Sequence, residues 1–284
     1  MMEDDWKKPK MNAEREVMIQ HARIARAFVS LSYALVSWAA IALIFLPKLG
    51  MPLRHSTKET EMFLLPTYYI IDISRSPYVE IIYVLQLITA LMVACCYVGV
   101  DSFFGLLVLH ISAQLENLQT RLANIKTSTH FDRVLKDTVM DHTRLIRAVD
   151  VIENTYMLLL LILLTNFGIF SCLSIFEIVT VINGKDNYSK SILYLQLPSY
   201  INTFLQTCLY CIAGQLLVTQ SEGVYEAAYD CEWLNLKPKD AKNLILIMAR
   251  SKKPLYVTAG KLFPMTMLTF CNVWCNYSCF RIFF

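Results

Sequence analysis

The chain has 284 residues, of which 56% are hydrophobic and 17% are charged, and its formal net charge is +3. Ordinary soluble domains carry about 25% charged residues. This apolar excess is too large for one soluble core and predicts a protein that crosses a bilayer several times. A net charge this small favours no nucleic-acid partner. Residues 1–26 contain no apolar signal region, so the first span is expected to act as its own membrane signal.

Five long apolar stretches are predicted to cross the bilayer as helices, since about 20 apolar residues match its hydrocarbon thickness. They are residues 27–46, 81–100, 155–176, 191–219 and 262–280. Together they predict an all-α fold, a polytopic membrane helical bundle that forms a single transmembrane domain over residues 1–284. Pro254 is expected to break the helix before the last stretch. Pro264 interrupts the last stretch itself, which is therefore expected to be a kinked span.

Residues 101–153, between the second and third spans, are predicted to form a cytoplasmic helical hairpin. An unbroken helix from Pro77 to Ile125 would be on the order of 70 Å long, about twice what a bilayer needs. Five apolar residues in this region have the spacing of a heptad repeat. They form a heptad stripe of Ile111, Leu115, Leu118, Leu122 and Ile125. Because no lipid covers it there, the stripe is predicted to be an exposed assembly surface.

Two further features concern the inner side of the predicted bundle. Residues 220–253 are predicted to form a second cytoplasmic segment, after the fourth span. Asp101 lies where the second span ends. It fits a polar contact between helices and a snorkelling or cavity-facing acid about equally well.

The distribution of basic residues predicts the orientation in the membrane. Lys and Arg number 6, 4, 6, 2 and 6 in the five polar segments, residues 1–26, 48–77, 114–150, 183–190 and 237–253. Basic segments favour the cytoplasmic side, so the N-terminus is predicted to be cytoplasmic and the 183–190 loop to be outside. That loop contains a glycosylation sequon at Asn187, and glycosylation requires the same orientation.

The sequence contains no catalytic signature. It lacks the GxSxG, phosphate-loop and HExxH motifs, and its His–Asp neighbours have no accompanying nucleophile. The nine cysteines fall mostly in apolar stretches and are interpreted as small buried hydrophobes. We therefore predict neither an enzyme nor a metal site, and we expect no cofactor.

Aromatic and polar residues in the predicted outer halves of the spans are candidates to line a small-molecule pocket. An apolar pocket with a few polar groups suits a small, volatile, hydrophobic ligand. The candidates are Trp38, Phe45, Tyr78, Tyr83, Gln86, Tyr194, Tyr200 and Phe204. Each is also explained as an interfacial anchor or a helix–helix contact, and the pattern leaves both interpretations open.

Several stretches resemble the insect odorant receptors. They are LPTYYIIDISRSPYVEIIYVLQ at 65–86, GQLLVTQSEGVYEAAYDCEWLNL at 214–236 and PLYVTAGKLFPMTMLTF at 254–270, and the likeness extends from Glu3 to Phe270. The resemblance implies a multi-pass receptor of the plasma membrane with a cytoplasmic N-terminus. It also implies an odorant-gated cation channel that assembles with an olfactory co-receptor as a heterotetramer through a cytoplasmic helical anchor.

Two departures from the family pattern lead to a more restricted expectation. By this comparison the five stretches correspond to spans three to seven, and the ending CNVWCNYSCFRIFF differs from the family's small-residue and aliphatic pore helix. We therefore expect a partial copy that lacks the first two spans, stays in the endoplasmic reticulum and does not conduct. A non-conducting anchor subunit is the main alternative, and a multispanning lipid-modifying enzyme is the weaker one.

Overall fold

The computed structural model describes residues 2–7, 11–48, 77–125, 131–183, 187–231 and 238–279. These residues form seven helices and one short hairpin of strands. The helices are α1 Met2–Lys7, α2 Asn12–Lys48, α3 Tyr78–Ala123, α4 Phe131–Asn183, α5 Asn187–Tyr229, α6 Pro238–Ser251 and α7 Met267–Cys279. The strands are β1 Thr258–Ala259 and β2 Phe263–Pro264. The predicted all-α class is confirmed.

Three stretches of the described helices are long and apolar enough to cross a membrane. They are Glu80–Ala123, Phe131–Phe176 and Ser199–Tyr229. Most apolar side chains of α3 before Val100 are exposed, which is stable only against an apolar environment. The predicted spans 27–46 and 262–280 include side chains outside the described part, and the number of spans stays a prediction.

Helix α3 is continuous over 46 residues, as the unbroken pattern predicted, and α4 and α5 are similarly long with 53 and 43 residues. Neither α3 nor α4 contains a proline. No helix-breaking proline therefore separates the apolar part of either helix from its amphipathic part. Helix α4 ends at Asn183 and α5 begins at Asn187. The loop predicted at 183–190 is therefore shorter than expected.

The chain divides into two compact units. Unit 1 comprises Met1–Phe28, Phe103–Thr165 and Thr207–Val273, and unit 2 comprises Val29–Ser102, Asn166–Gln206 and Trp274–Phe284. The core of unit 1 is centred on Phe104 of α3, whose ring centroid lies 5.0 Å from those of both Tyr156 on α4 and Tyr210 on α5. Phe28 of α2 packs so closely on Gly105 that a Cβ there would lie 2.5 Å from its ring. Four helices thus meet in one core.

The heptad stripe on α3 is buried inside unit 1. No member of the stripe, Ile111, Leu115, Leu118, Leu122 and Ile125, is more than 2% exposed. The prediction of an exposed stripe is wrong, because α2, α4 and α5 of the same chain pack around α3. Contacts from Met18, Asp141 and Gln220 mark these three neighbours. A role of the stripe in assembly stays a prediction, and any such role would be indirect.

The N-terminal residues of unit 1 are held by buried ion pairs. Asp5 of α1 is 1% exposed and lies 3.1 Å from His110 Nε2 and 2.7 Å from an Arg144 guanidinium nitrogen. Arg121 pairs with Glu14 at 2.5 Å and donates to Asp141 at 2.8 Å. Buried charges are stable when they are paired in this way. Residues of the polar N-terminal segment 1–26 are therefore an integral part of the fold.

A β-hairpin replaces the first residues of the predicted last span. Thr258 pairs with Pro264 and Ala259 with Phe263, and three residues connect the strands. Gly260 and Lys261 both have positive φ, and Leu262 N donates a hydrogen bond to Ala259 O at 3.1 Å, which closes a tight turn. The prediction of a kinked helix from Leu262 is therefore wrong. Pro264 lies in a strand, and α7 begins at Met267. Helix α6 does end before Pro254, as predicted.

The hairpin is fixed to α4 and α5. Gly260 N donates to Met157 O at 2.9 Å, and Thr258 Oγ1 donates to Glu153 Oε1 at 2.7 Å, both on α4. On α5, a Cβ at Gly214 would lie 2.0 Å from Met265 O. The backbone that leads into α7 therefore depends on a glycine of α5 for its path.

Candidate functional site

Unit 2 contains a cluster of four aromatic side chains from three helices. Phe204 of α5 is its centre, with ring centroids 6.2 Å from Phe167 of α4, 6.3 Å from Tyr200 of α5 and 6.2 Å from Trp274 of α7. These distances are typical of interacting aromatic rings. Trp274 Nε1 donates a hydrogen bond to Tyr200 Oη at 3.3 Å. This aromatic cluster therefore links α7 to α5 by a polar bond as well as by ring contacts.

Only some of the predicted pocket residues come together. Tyr200 and Phe204 belong to the aromatic cluster. Gln86 is buried on α3 and Tyr83 is half-buried, whereas Tyr78 and Trp38 are 59% and 42% exposed. The side chains of Phe45 and Tyr194 lie outside the described part of the chain. A ligand role for these eight residues stays a prediction, and the two exposed rings fit the interfacial alternative.

A polar pair inside unit 2 joins α3 to α5. Gln206 Nε2 donates a hydrogen bond to Asp101 Oδ2, and both side chains are 2% exposed. The sequence left two interpretations of Asp101 open. Its burial and its contact with Gln206 select the polar contact between helices. In an apolar span such a contact satisfies groups that lipid would leave without partners.

Sequence reasoning missed Phe167, Gln206 and Trp274. Tyr200 and Phe204 are four residues apart, so their shared helix face was readable from the sequence. No spacing rule connects them to Phe167 on α4 or to Trp274 on α7. Similarly, Gln206 follows Asp101 by 105 residues, and only the packing of α5 beside α3 brings the two together.

A groove between α4 and α6 is a second candidate site, in unit 1. Its volume is about 380 Å³. Leu135 and Ile247 are buried there, whereas Val139, Met140 and Leu246 are exposed. Charged and ionisable side chains line it as well: Asp132, Lys136, His142 and Arg250. An exposed apolar groove with a charged rim is typical of a protein-interaction surface.

Long apolar helices and buried interhelical polar contacts define a polytopic helical membrane protein. The 7tm Odorant receptor family matches residues 2–276, and the chain belongs to this family. The family is one of receptors, which confirms the prediction that the chain is not an enzyme and removes the lipid-modifying alternative.

Individual relatives agree with this assignment. The chain is 26% identical to odorant receptor 10 of Aedes albopictus over 208 residues, which are 70% of this chain and 53% of that receptor. It is 24% identical to odorant receptor Or2 of Anopheles gambiae over 241 residues, covering 80% of this chain and 58% of the relative. The chain thus spans little more than half the length of these relatives.

The chain is also similar to a co-receptor and to a solved structure. Identity to the odorant receptor coreceptor of Harpegnathos saltator is 29% over 140 residues, or 49% of this chain and 28% of the relative. The olfactory receptor OR5 of Machilis hrabei, solved in complex with eugenol, superimposes with a TM-score of 0.80 at 14% identity. The superposition covers 96% of this chain and 69% of that one. This likeness shows the fold.

Proposed function

We propose that the chain is an odorant-binding subunit of a ligand-gated cation channel, located in the plasma membrane and working with an olfactory co-receptor. The observation that carries the proposal is the aromatic cluster. Its rings offer the flat apolar surface that a small, volatile, hydrophobic ligand needs, and the Tyr200 hydroxyl supplies a polar group beside it.

The position of Trp274 supplies a route from binding to response. Trp274 belongs to α7, and the rest of the cluster belongs to α4 and α5. A ligand that inserts beside Phe204 would compete with the Trp274 ring and with its bond to Tyr200. Binding would then change how α7 packs. A ligand shifts a conformational equilibrium only through such differential contacts.

The first test is electrical recording from cells that express the chain with the co-receptor, against a panel of volatile odorants. Phe204→Leu should raise the half-maximal odorant concentration about fivefold, since losing an aromatic contact costs about 1 kcal/mol. Phe103→Leu is the matched control, because that ring is exposed and is not one of the predicted pocket residues. Currents no larger than those of the co-receptor alone would contradict the proposal and would agree with the opposite prediction, that the chain stays in the endoplasmic reticulum and does not conduct.

We further propose that the co-receptor binds at the groove between α4 and α6. Support comes from the exposed apolar side chains of this groove and from the coreceptor of Harpegnathos saltator among the relatives. Leu246→Asp should reduce co-purification with the co-receptor at least tenfold, because it places a charge in an apolar contact. Leu262→Asp is the control, being an exposed leucine outside the groove. Equal co-purification of both variants would exclude the groove.

The anchor-subunit alternative makes a different prediction in these two experiments. A subunit that only assembles would co-purify through the groove and give no odorant-dependent current. The aromatic cluster would then be a packing feature, and Phe204→Leu would change stability without changing any response.

A further inference from the structure

The β-hairpin lies where α4 passes from its polar part to its apolar part. Thr258 donates a hydrogen bond to Glu153, the last charged residue of α4 before the uncharged run 154–176. Gly260 N donates to Met157 O, one helical turn further along α4. Such a change from charged to uncharged residues marks the edge of the hydrocarbon layer in a membrane helix. The turn of the hairpin therefore lies just inside that edge.

Helix α2 places the edge at the same level of unit 1. The ring of Phe28 packs on Gly105 of α3, and the neighbouring ring of Phe104 contacts Tyr156 of α4. Phe28 is thus level with Tyr156. Arg26, the last charged residue of α2 before its apolar part, lies about 3 Å from Phe28 along the helix axis, toward the polar end. Two helices therefore agree on the boundary, where Arg26 is an exposed basic side chain.

The hairpin exposes a charged and an aromatic side chain at this level. Lys261 is exposed and has a φ of 60°, a conformation that residues with a Cβ adopt rarely and that is common at binding sites. Its side chain forms neither a hydrogen bond nor an ion pair with any described residue. Phe263 is 49% exposed, and Leu158, next to Met157 on α4, is 62% exposed. Exposed apolar side chains at this depth fit acyl chains, whereas the ammonium group needs a counter-charge.

The depth of Lys261 narrows the choice of counter-charge. Glu153 already accepts a hydrogen bond from Thr258, and no acidic residue follows Asp240 in the sequence. A protein partner would have to bring a carboxylate to the hydrocarbon edge, where charged side chains are costly. Lipid headgroups already lie there, and a lysine reaches them by extending its flexible stem. A negatively charged headgroup is therefore the counter-charge that this position favours.

We propose that the hairpin binds an anionic phospholipid of the leaflet that surrounds the polar ends of the spans. Lys261 pairs with the negative charge of the headgroup, and Phe263 contacts the acyl chains. Arg26 adds to the positive charge at the same level of unit 1. The lipid thereby holds the segment that leads into α7 at the membrane surface. This inference does not depend on the proposed receptor function.

The test is quenching of tryptophan fluorescence by brominated lipids around the purified full chain. Phe263→Trp places a fluorophore beside Lys261, and the signal of the unchanged chain, which has four tryptophans, is subtracted. The bilayers contain phosphatidylcholine and phosphatidylserine with the same acyl chains, and one of the two lipids is brominated at a time. We expect phosphatidylserine to bind about fivefold more strongly beside the introduced tryptophan, the effect of one basic residue near anionic lipid. The preference should fall at about 1 M salt.

Further changes in the Phe263→Trp chain assign the preference to Lys261. Lys261→Gln should reduce it below about twofold. Arg133→Gln is the control of equal charge, because it removes an exposed basic side chain about 35 Å along α4 from Met157. Equal binding of the two lipids while Lys261 is present, or a preference that survives Lys261→Gln, would overturn the proposal. So would a lack of quenching by either lipid, which would show that protein or water covers the hairpin.

If Phe263→Trp does not fold, thermal unfolding of chains without the added tryptophan decides. Phosphatidylserine should raise the unfolding midpoint of the unchanged chain by about 2 °C over phosphatidylcholine alone. It should leave the midpoint of Lys261→Gln almost unchanged. Equal shifts for the two chains would overturn the site.

Discussion

The side chain of Asp5 holds helix α1 against α3 and α4. It is the only buried residue among the described side chains of α1, and its partners His110 and Arg144 lie on α3 and α4. Burial raises the pKa of Asp5, but hydrogen bonds from His110 and Arg144 and their positive charges outweigh it. The pKa of Asp5 is therefore lowered from 3.8. The ionised carboxylate is the form that holds α1.

We predict that Asp5→Asn releases α1 at neutral pH. The variant loses charge-assisted hydrogen bonds worth about 1–3 kcal/mol, so trypsin should cleave after Lys7 about tenfold faster or more. Glu3→Gln is the matched control. Glu3 forms an exposed ion pair with Lys7, which contributes little. Equal cleavage of both variants would show that Asp5 does not hold the helix.

The pH dependence of this contact has a definite sign. A carboxylate with a lowered pKa contributes stability that is fully present above its unfolded pKa and is lost as pH falls through the folded one. For Asp5 the loss lies below 3.8. The Asp5 contribution, measured as the difference in unfolding midpoint between the chain and Asp5→Asn, should not decrease as pH falls from 7 to about 5. A difference that shrinks within this range would contradict the assignment.

Among the elements, the β-hairpin between α6 and α7 depends most on local geometry. Its turn needs positive φ at Gly260, where a Cβ would also lie 2.7 Å from Leu161 Cδ2. Its exit needs Gly214, where a Cβ would lie 2.0 Å from a backbone oxygen. A flexible leucine side chain yields more easily than a backbone carbonyl. A methyl group at Gly260 is therefore accommodated by movement of a side chain, whereas one at Gly214 requires movement of the backbone.

We predict that Gly214→Ala and Gly260→Ala destabilise the chain, the first by backbone displacement costing about 2 kcal/mol or more and the second by about 1–2 kcal/mol of conformational strain. Gly99→Ala is the control, because a Cβ there meets nothing within 4 Å. It should be neutral or slightly stabilising, since alanine favours helix. Thermal unfolding midpoints measure all three variants. If Gly214→Ala and Gly260→Ala had midpoints similar to that of Gly99→Ala, the hairpin would tolerate a displaced backbone.

Across the whole molecule, orientation in the membrane is the property that most needs a measurement. The charge alternation and the Asn187 sequon both predict a cytoplasmic N-terminus. Expression in a glycosylating membrane system should add one glycan, lost in Asn187→Gln. Asn276-Tyr277-Ser278 repeats the same tripeptide within α7, so Asn276→Gln should leave the glycan in place. Glycosylation of a reporter fused to the N-terminus would show that the N-terminus is outside and would contradict the predicted orientation.

The sequence alone determined the class of this protein, its odorant-receptor resemblance and the unbroken course of α3. These follow from composition, helical periodicity and the absence of prolines, which act over neighbouring residues. Tertiary structure decided the burial of the heptad stripe and the partners of Asp101 and Phe204. It also decided the conformation at Pro264, where pairing with Thr258 and the close approach to Gly214 produce a hairpin in place of a kinked helix. Such outcomes depend on contacts between segments that are far apart in the sequence, such as Asp5 and His110, which are 105 residues apart. Patterns of neighbouring residues do not predict these contacts.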